Sequence, residues 1–319
     1  MNPVPTRTAV VALGGNALAP SGAESDIAAQ FRHARESLSP IVDLVLDGWA
    51  VCVVHGNGPQ VGDELLRNEV ARDVAAPLPL GVLVAATAGW IGYMVQQSLE
   101  NALAREGSPR CVTTILTQVL VDPADPALAE PRKFIGHEVA PERADALRAA
   151  GERLAPDGRG RLRRVVPSPR PQAIHDLPTI RRLLDAGEVV VCCGGGGIPV
   201  YRDERLGLEG VDAVVDKDLA AAVLARELAA ELLLVLTDVD AVYTDWGRPS
   251  QRQLRRLSVD EAARLDAAGT FGEGSMAPKV RAAIDFVRRT GGRAIITELS
   301  RGREAVLGLA GTTITPEST

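Results

Sequence analysis

The chain has 319 residues and a mass of 33.6 kDa, enough for two domains with an ample core. Apolar residues make up 46%, which excludes a disordered chain, and a net charge of −6 with pI near 5.4 argues against a general nucleic-acid binder. Aromatics are 3% against 46 alanines, so the core must be packed from Ala, Val, Leu and Ile.

Taken in order, Thr8–Leu13 reads as a short buried strand that ends at Gly14-Gly15-Asn16. Asp26 stands where it can cap a helix from about Ile27 to Leu46, ended by Gly48. Trp49–Val54 reads as a second strand, followed by His55-Gly56-Asn57-Gly58. Pro59 suits the first position of a helix running toward Arg72. The longest apolar stretch, Gly81–Val95, is about 15 residues, short for a membrane span. It reads as a buried helix at a subunit interface. Val112–Val121 is a third strand.

Asp122–Pro171 breaks the rhythm with Pro, Gly and Arg, and reads as a small subdomain or lid. Glu188–Cys193 is a fourth strand and runs into Gly194–Gly197; Pro199–Glu209 reads as a hinge. Leu219–Ala230 is an Ala-rich helix. Leu232–Leu236 is a fifth strand, ending at Thr237-Asp238. Arg293–Thr297 is a sixth, with a helix near Glu304–Leu309 and a tail, Thr312–Thr319, that frays after a last short strand. Apolar strands alternating with helices predict an α/β fold, a parallel sheet covered on both faces. Ligands of such sheets sit at the carboxyl ends of the strands, where these glycine turns fall.

The first apolar run, Ala9–Leu13, is too short for a secretory signal. The four cysteines form no C-x-x-C pair and read as reduced thiols of a cytoplasmic protein. The histidines have no metal-ligand spacing, and no metal site is expected from the protein's own side chains.

A glycine turn after a strand lets backbone N–H groups approach an anion, and Asn adds a side-chain donor. Three such turns occur, two with Asn beside Gly, at Asn16 and Asn57. Neither G-x-x-x-x-G-K-[ST] nor G-x-G-x-x-G is present, so neither a P-loop nor a dinucleotide fold is indicated. The basic residues are lopsided: 35 in all, of which only Lys133, Lys217 and Lys279 are lysine. Lys217 lies between Asp216 and Asp218, which reads equally as a local surface ion pair. Lys279 follows Pro278 in the first turn of a helix striped by Val280, Ile284 and Val287. A cation there is unfavourable unless an anion is bound. Lys133 lies on the lid segment. Glycine N–H groups, Asn donors and compact ammonium charges suit phosphoryl transfer, in which catalysis is positioning plus charge stabilisation.

Eight segments then stand in order: VVALGGNA at Val10–Ala17, HGNGPQVG at His55–Gly62, TAGWIGY ending at Tyr93, LTQVLVDPAD at Leu116–Asp125, VVPSPRP at Val165–Pro171, CGGGGIP at Cys193–Pro199, VVDKD at Val214–Asp218, and GSMAPK at Gly274–Lys279. From about Ala9 to Thr313 this set resembles the carbamate kinases of the amino-acid kinase superfamily. The resemblance implies an open three-layer α/β/α sandwich with a mainly parallel central sheet and a protruding subdomain. An N-terminal lobe, residues 1–207 with the subdomain at about 122–171, would hold the small acid. A C-terminal lobe, 208–319, would hold the nucleotide. The implied reaction is reversible transfer between ATP and carbamate, giving ADP and carbamoyl phosphate with Mg²⁺, as in arginine or purine breakdown. A homodimer is also implied.

The resemblance assigns roles to individual positions. Gly14, Gly15 and Asn16, with Gly56, Asn57 and Gly58, would cradle the transferred group. Lys217 would bridge donor and acceptor oxygens, with Asp216 orienting the lysines. Lys279 would hold nucleotide phosphates, and Lys133 would swing in from the subdomain. Thr237, Asp238, Tyr243, Gly274 and Met276 would line the nucleotide pocket. The chain departs from the family pattern at Ala88 (usually Gln), at His137 and Glu138 (where Pro is usual), at Leu162 (usually Trp) and at Val54 (usually Ser). Two other readings follow: a superfamily kinase for another small carboxylic or phosphonic acid, and a non-catalytic nucleotide sensor.

Overall fold

The computed structural model describes residues 7–14, 26–272 and 276–317. The chain opens with β1 (Arg7–Leu13), α1 (Ile27–Ser37), α2 (Ser39–Leu46), β2 (Trp49–His55), α3 (Gly58–Ala71) and α4 (Leu80–Arg105). Next come β3 (Val112–Thr114), β4 (Gln118–Val121), α5 (Pro126–Ala129), β5 (Lys133–Glu138), α6 (Pro141–Ala149), β6 (Leu154–Pro156), β7 (Leu162–Val166) and β8 (Pro171–Ile174). They lead to α7 (Leu177–Asp185), β9 (Val189–Val191), β10 (Ile198–Asp203), β11 (Gly207–Gly210) and α8 (Lys217–Glu227). The last stretch holds β12 (Leu232–Thr237), β13 (Val242–Thr244), β14 (Arg252–Leu254), β15 (Arg256–Ser258), α9 (Val259–Ala267), α10 (Met276–Thr290), β16 (Arg293–Glu298), α11 (Gly302–Val306) and β17 (Thr312–Thr315).

Eight strands form one sheet in the order β15-β17-β16-β12-β1-β2-β9-β3. Its pairs are parallel except β16 with β17. Side chains alternate across β1, and each face has its own core. Val10 and Ala12 join the core under α7, α8, α9 and α10; Ala9, Val11 and Leu13 join the one under α1, α2 and α4. The result is the expected three-layer sandwich. With so few aromatics, Ala220, Ala221, Ala222 and Ala225 let α8 pack closely on the sheet.

The structure corrects the linear reading in three places. The helix expected from Ile27 to Leu46 is two helices that meet at Leu38, because Pro40 cannot continue the first ladder. Asp26 does cap the first, accepting from Ala29 N–H at 2.7 Å. The strand expected over Val112–Val121 is two strands: β3 edges the large sheet, and β4 belongs to a four-stranded sheet, β11-β10-β4-β8. The hinge expected at Pro199–Glu209 is an antiparallel hairpin, β10 with β11, in that same sheet.

The excursion after Asp122 carries a sheet of its own, β5-β7-β6. It docks on α3 by backbone contact: a Cβ on Gly62 would overlap Gly136 Cα. An apolar seam of Val61, Val84, Ile135, Val166 and Val214 lies beside that contact. Glu69 of α3 takes both Arg164 and Arg143 of the lid, and His137 Nε2 lies 3.1 Å from Asp63 Oδ1.

Candidate active site

The central strands end together. Gly14 N–H donates to Leu236 O at 2.9 Å, and Gly56 N–H to Leu13 O at 3.2 Å. Those bonds place Gly14 at the end of β12 and Gly56 at the end of β1. The third turn, Gly194–Gly197, packs against the second, with Gly194 on His55 and Gly195 on Asn57. Gly195 has φ +69, and a Cβ there would lie 2.7 Å from Asn57 Oδ1. Only glycine fits. Gly58 opens α3 with free space around it. Gly15, Asn16 and Gly274 lie outside the described residues.

All three lysines converge. Lys133, the first residue of β5, donates to Asp216 Oδ2 at 2.7 Å. Asp216 is the N-cap of α8, its Oδ1 accepting from Asp218 N–H at 2.9 Å and Leu219 N–H at 3.3 Å. Lys217 donates to Asp218 Oδ1 at 2.6 Å, and Lys279, from the first turns of α10, to Asp218 Oδ2 at 3.3 Å. These side chains are shielded, with Asp218 only 4% exposed. Three ammonium groups against two carboxylates leave the cluster at +1, suited to an incoming phosphoryl group.

Burial works against ionising either carboxylate, but the facing lysines win. Lys133 and then Lys217 and Lys279 hold Asp216 well below its ordinary value, and Lys217 and Lys279 lower Asp218. Burial depresses Lys217, against the pull of Asp218. For Lys279 burial is outweighed by Asp218 and Asp216, and its affinity for the proton rises.

The sequence reading left Asp218 as a mere flank of Lys217; it is the bridge between Lys217 and Lys279. Its signal was the spacing Asp216-Lys217-Asp218 at a helix start, which brings carboxylates to both sides of one turn. Two further residues were missed. Thr87 accepts from Asn57 Nδ2 at 2.9 Å. His55 is 1% exposed, its Nδ1 3.1 Å from Gly56 O, and burial lowers its pKa to about 4. A buried helical Thr carries no linear signature.

The nucleotide-side residues are more scattered. Thr237 ends β12 and donates to Asp238 Oδ1 at 3.0 Å. The charge of Asp238 reaches Lys279. Met276 opens α10 and packs on the larger core. Tyr243 is turned to Asp240, its OH 2.8 Å from Oδ1, with Trp246 edge-on at 5.2 Å. It stands on the β13-β14 hairpin beyond β12.

A family model described as the amino acid kinase family matches residues 7–298. The chain belongs to the amino acid kinase family. Carbamate kinase of Escherichia coli K12 is 46% identical over 309 residues, 97% of this chain and 99% of that protein. Carbamate kinase of Halobacterium salinarum is 45% identical, covering 96% of this chain and 98% of that one. Among solved structures, carbamate kinase from Giardia lamblia bound to AMP-PNP superposes with a TM-score of 0.89 at 40% identity, covering 97% of this chain and 98% of that one. The family and the fold resemblance agree with the sandwich described above, and make the chain a phosphotransferase of the kinase type.

Proposed function

We propose that the chain is a carbamate kinase, moving a phosphoryl group reversibly between ATP and carbamate. The observation that carries this reading is the convergence of Lys133, Lys217 and Lys279 on Asp216 and Asp218, next to the glycine turn whose Gly196 packs on Val215. In it, Gly14, Gly56, Gly58 and the start of α3 hold the acceptor and the transferred group. Lys217 follows the phosphoryl group between the two oxygens it joins, as a point charge can. Lys279 and the end of β12, with Thr237 and Asp238, hold the nucleotide phosphates, and Lys133 closes from the lid. The acceptor lobe is residues 1–207 and the nucleotide lobe 208–319.

Mg²⁺ enters with the nucleotide as part of the substrate. Among the described residues no group of three His, Cys, Asp or Glu could hold a metal, and Asp216 and Asp218 are already engaged by lysines. The phosphate oxygens are therefore the expected ligands.

A homodimer through α4 is supported by Val82 and Tyr93, exposed on that helix, and by Leu116, exposed beside Gly89 of the same helix. A cytoplasmic location is supported by the free thiols Cys52, Cys192 and Cys193. Among the described residues no helix is long and apolar enough to cross a membrane.

The test is purified protein with ADP, carbamoyl phosphate and Mg²⁺. ATP should form, and its absence overturns the reading. Placement of the acceptor is tested separately with Gly58→Ala, whose Cβ meets no atom of the described residues within 4 Å. The variant should fold and show a higher KM for carbamoyl phosphate; an unchanged KM moves the acceptor elsewhere. A second reading, a kinase for another small acid, is favoured by Ala88 beside Gly194. A screen of acceptors with ATP decides between the two.

A further inference from the structure

Asn is among the best helix-capping residues, yet Asn57, at the N-cap of α3, makes no side-chain cap bond. Asn57 is only 2% exposed, and its Nδ2 donates to Thr87 Oγ1. Thr87 itself decides which end of the amide faces it. Its hydroxyl has one proton and lies 2.7 Å from Leu83 O and 3.0 Å from Val84 O, the preceding turn of α4. Carbonyls only accept, so the proton goes there. What remains on Oγ1 is a lone pair, and only the amide nitrogen can fill it.

Asn57 Oδ1 is thereby turned away from Thr87, and it has no partner among the described residues. The amide as a whole packs over Gly195, where a Cβ would meet Nδ2, Cγ and Oδ1, and so stands between the second and third glycine turns. Its Oδ1 is an acceptor beside the N-terminus of the 14-residue α3, whose N-cap side chain makes no bond to the first N–H groups. Those N–H groups favour an anion, whereas an acceptor oxygen repels one. A ligand satisfies both only if it carries a hydrogen-bond donor next to its anionic oxygens. The carbamoyl group does, because its NH₂ and its oxygens share one carbon.

We infer that Asn57 Oδ1, locked in place by Thr87, receives the amino group of carbamate and of carbamoyl phosphate and selects against acyl phosphates that lack it. This rests on placing the acceptor at Gly56–Gly58. Asn57 would be the contacting residue and Thr87 a positioning residue. Acetyl phosphate has nearly the same shape but puts a methyl group against Oδ1, covering that acceptor without pairing it.

The experiment compares kcat/KM for carbamoyl phosphate and acetyl phosphate in ATP formation. Wild type should favour carbamoyl phosphate by at least about a hundredfold. In Thr87→Val the amide loses its lock and the ratio should fall by about tenfold or more, while Thr87→Ser keeps the hydroxyl and the ratio. A folded Thr87→Val with the wild-type ratio overturns the inference. So does a wild type that uses both substrates equally, which needs no variant to fold. If Gly58→Ala raises the KM for carbamoyl phosphate and Thr87→Val leaves the ratio alone, the acceptor placement stands and this inference fails. If neither variant changes anything, the placement itself fails.

Discussion

Lys133 and Asp216, 83 positions apart in the chain, meet at 2.7 Å, joining the lid to the start of α8. Asp216 does two things with its two oxygens. Oδ1 caps the helix and Oδ2 holds the lid lysine. Asp216→Asn should keep the cap, since Asn caps about as well as Asp, and lose the charge that gathers the lysines. We expect a folded variant with kcat lower by about tenfold to a hundredfold. Circular dichroism and the ATP-forming assay check it; an unchanged kcat would remove Asp216 from the machinery.

Lys217 tests whether the scarcity of lysine has a chemical reason. It is 12% exposed and bonded to Asp218 Oδ1 at 2.6 Å. Lys217→Arg puts a planar fork there, which binds a fixed geometry and cannot follow a moving phosphoryl group. Turnover should fall by about a hundredfold or more with the fold intact. Wild-type turnover in that variant would refute this role.

Gly62→Ala tests the lid. The added Cβ would overlap Gly136 Cα, so the lid must shift, at a cost of about 1–3 kcal/mol. Limited proteolysis should then cut residues 122–171 faster, and the KM for carbamoyl phosphate should rise as Lys133 is carried off. A lid as resistant as wild type with an unchanged KM would show that this contact does not seat it.

His55 gives a pH signature. Burial lowers its pKa from the ordinary 6.5 to about 4, so the native ring stays neutral while the unfolded ring takes up a proton in between. Stability therefore falls as pH drops from about 6.5 to about 4, by roughly 3 kcal/mol for this group. Urea unfolding at several pH values should give a flatter profile for His55→Gln than for wild type. Identical slopes would assign the acid sensitivity to other groups.

Much of this was legible in the chain. The apolar run at Thr8–Leu13, the Asp26 cap and Pro59 at the start of α3 are local features, and the structure forms them much as read, β1 starting one residue earlier at Arg7. The glycine turns and three lysines stood out in the sequence for the same reason: backbone approach and compact charge have residue-type signatures. The split at Ile115–Thr117 was not legible, because the apolar run there continues while the chain changes sheets. The break at Leu38 was signalled by Pro40 but masked by apolar spacing that runs through it.

By itself the sequence determined the elements, the turns and the kinds of charge available, because propensity, capping and glycine freedom act within a few residues. Only the tertiary structure decided which charges meet. Lys133, Lys217 and Lys279 are separated by long stretches of chain, and nothing in their spacing tells that Asp216 takes one while Asp218 spans the other two. The orientation of the Asn57 amide was likewise undecided until α4 brought Thr87 against it. Both are matters of long-range packing, in which a side chain's role depends on neighbours that the sheet and its covering helices bring together.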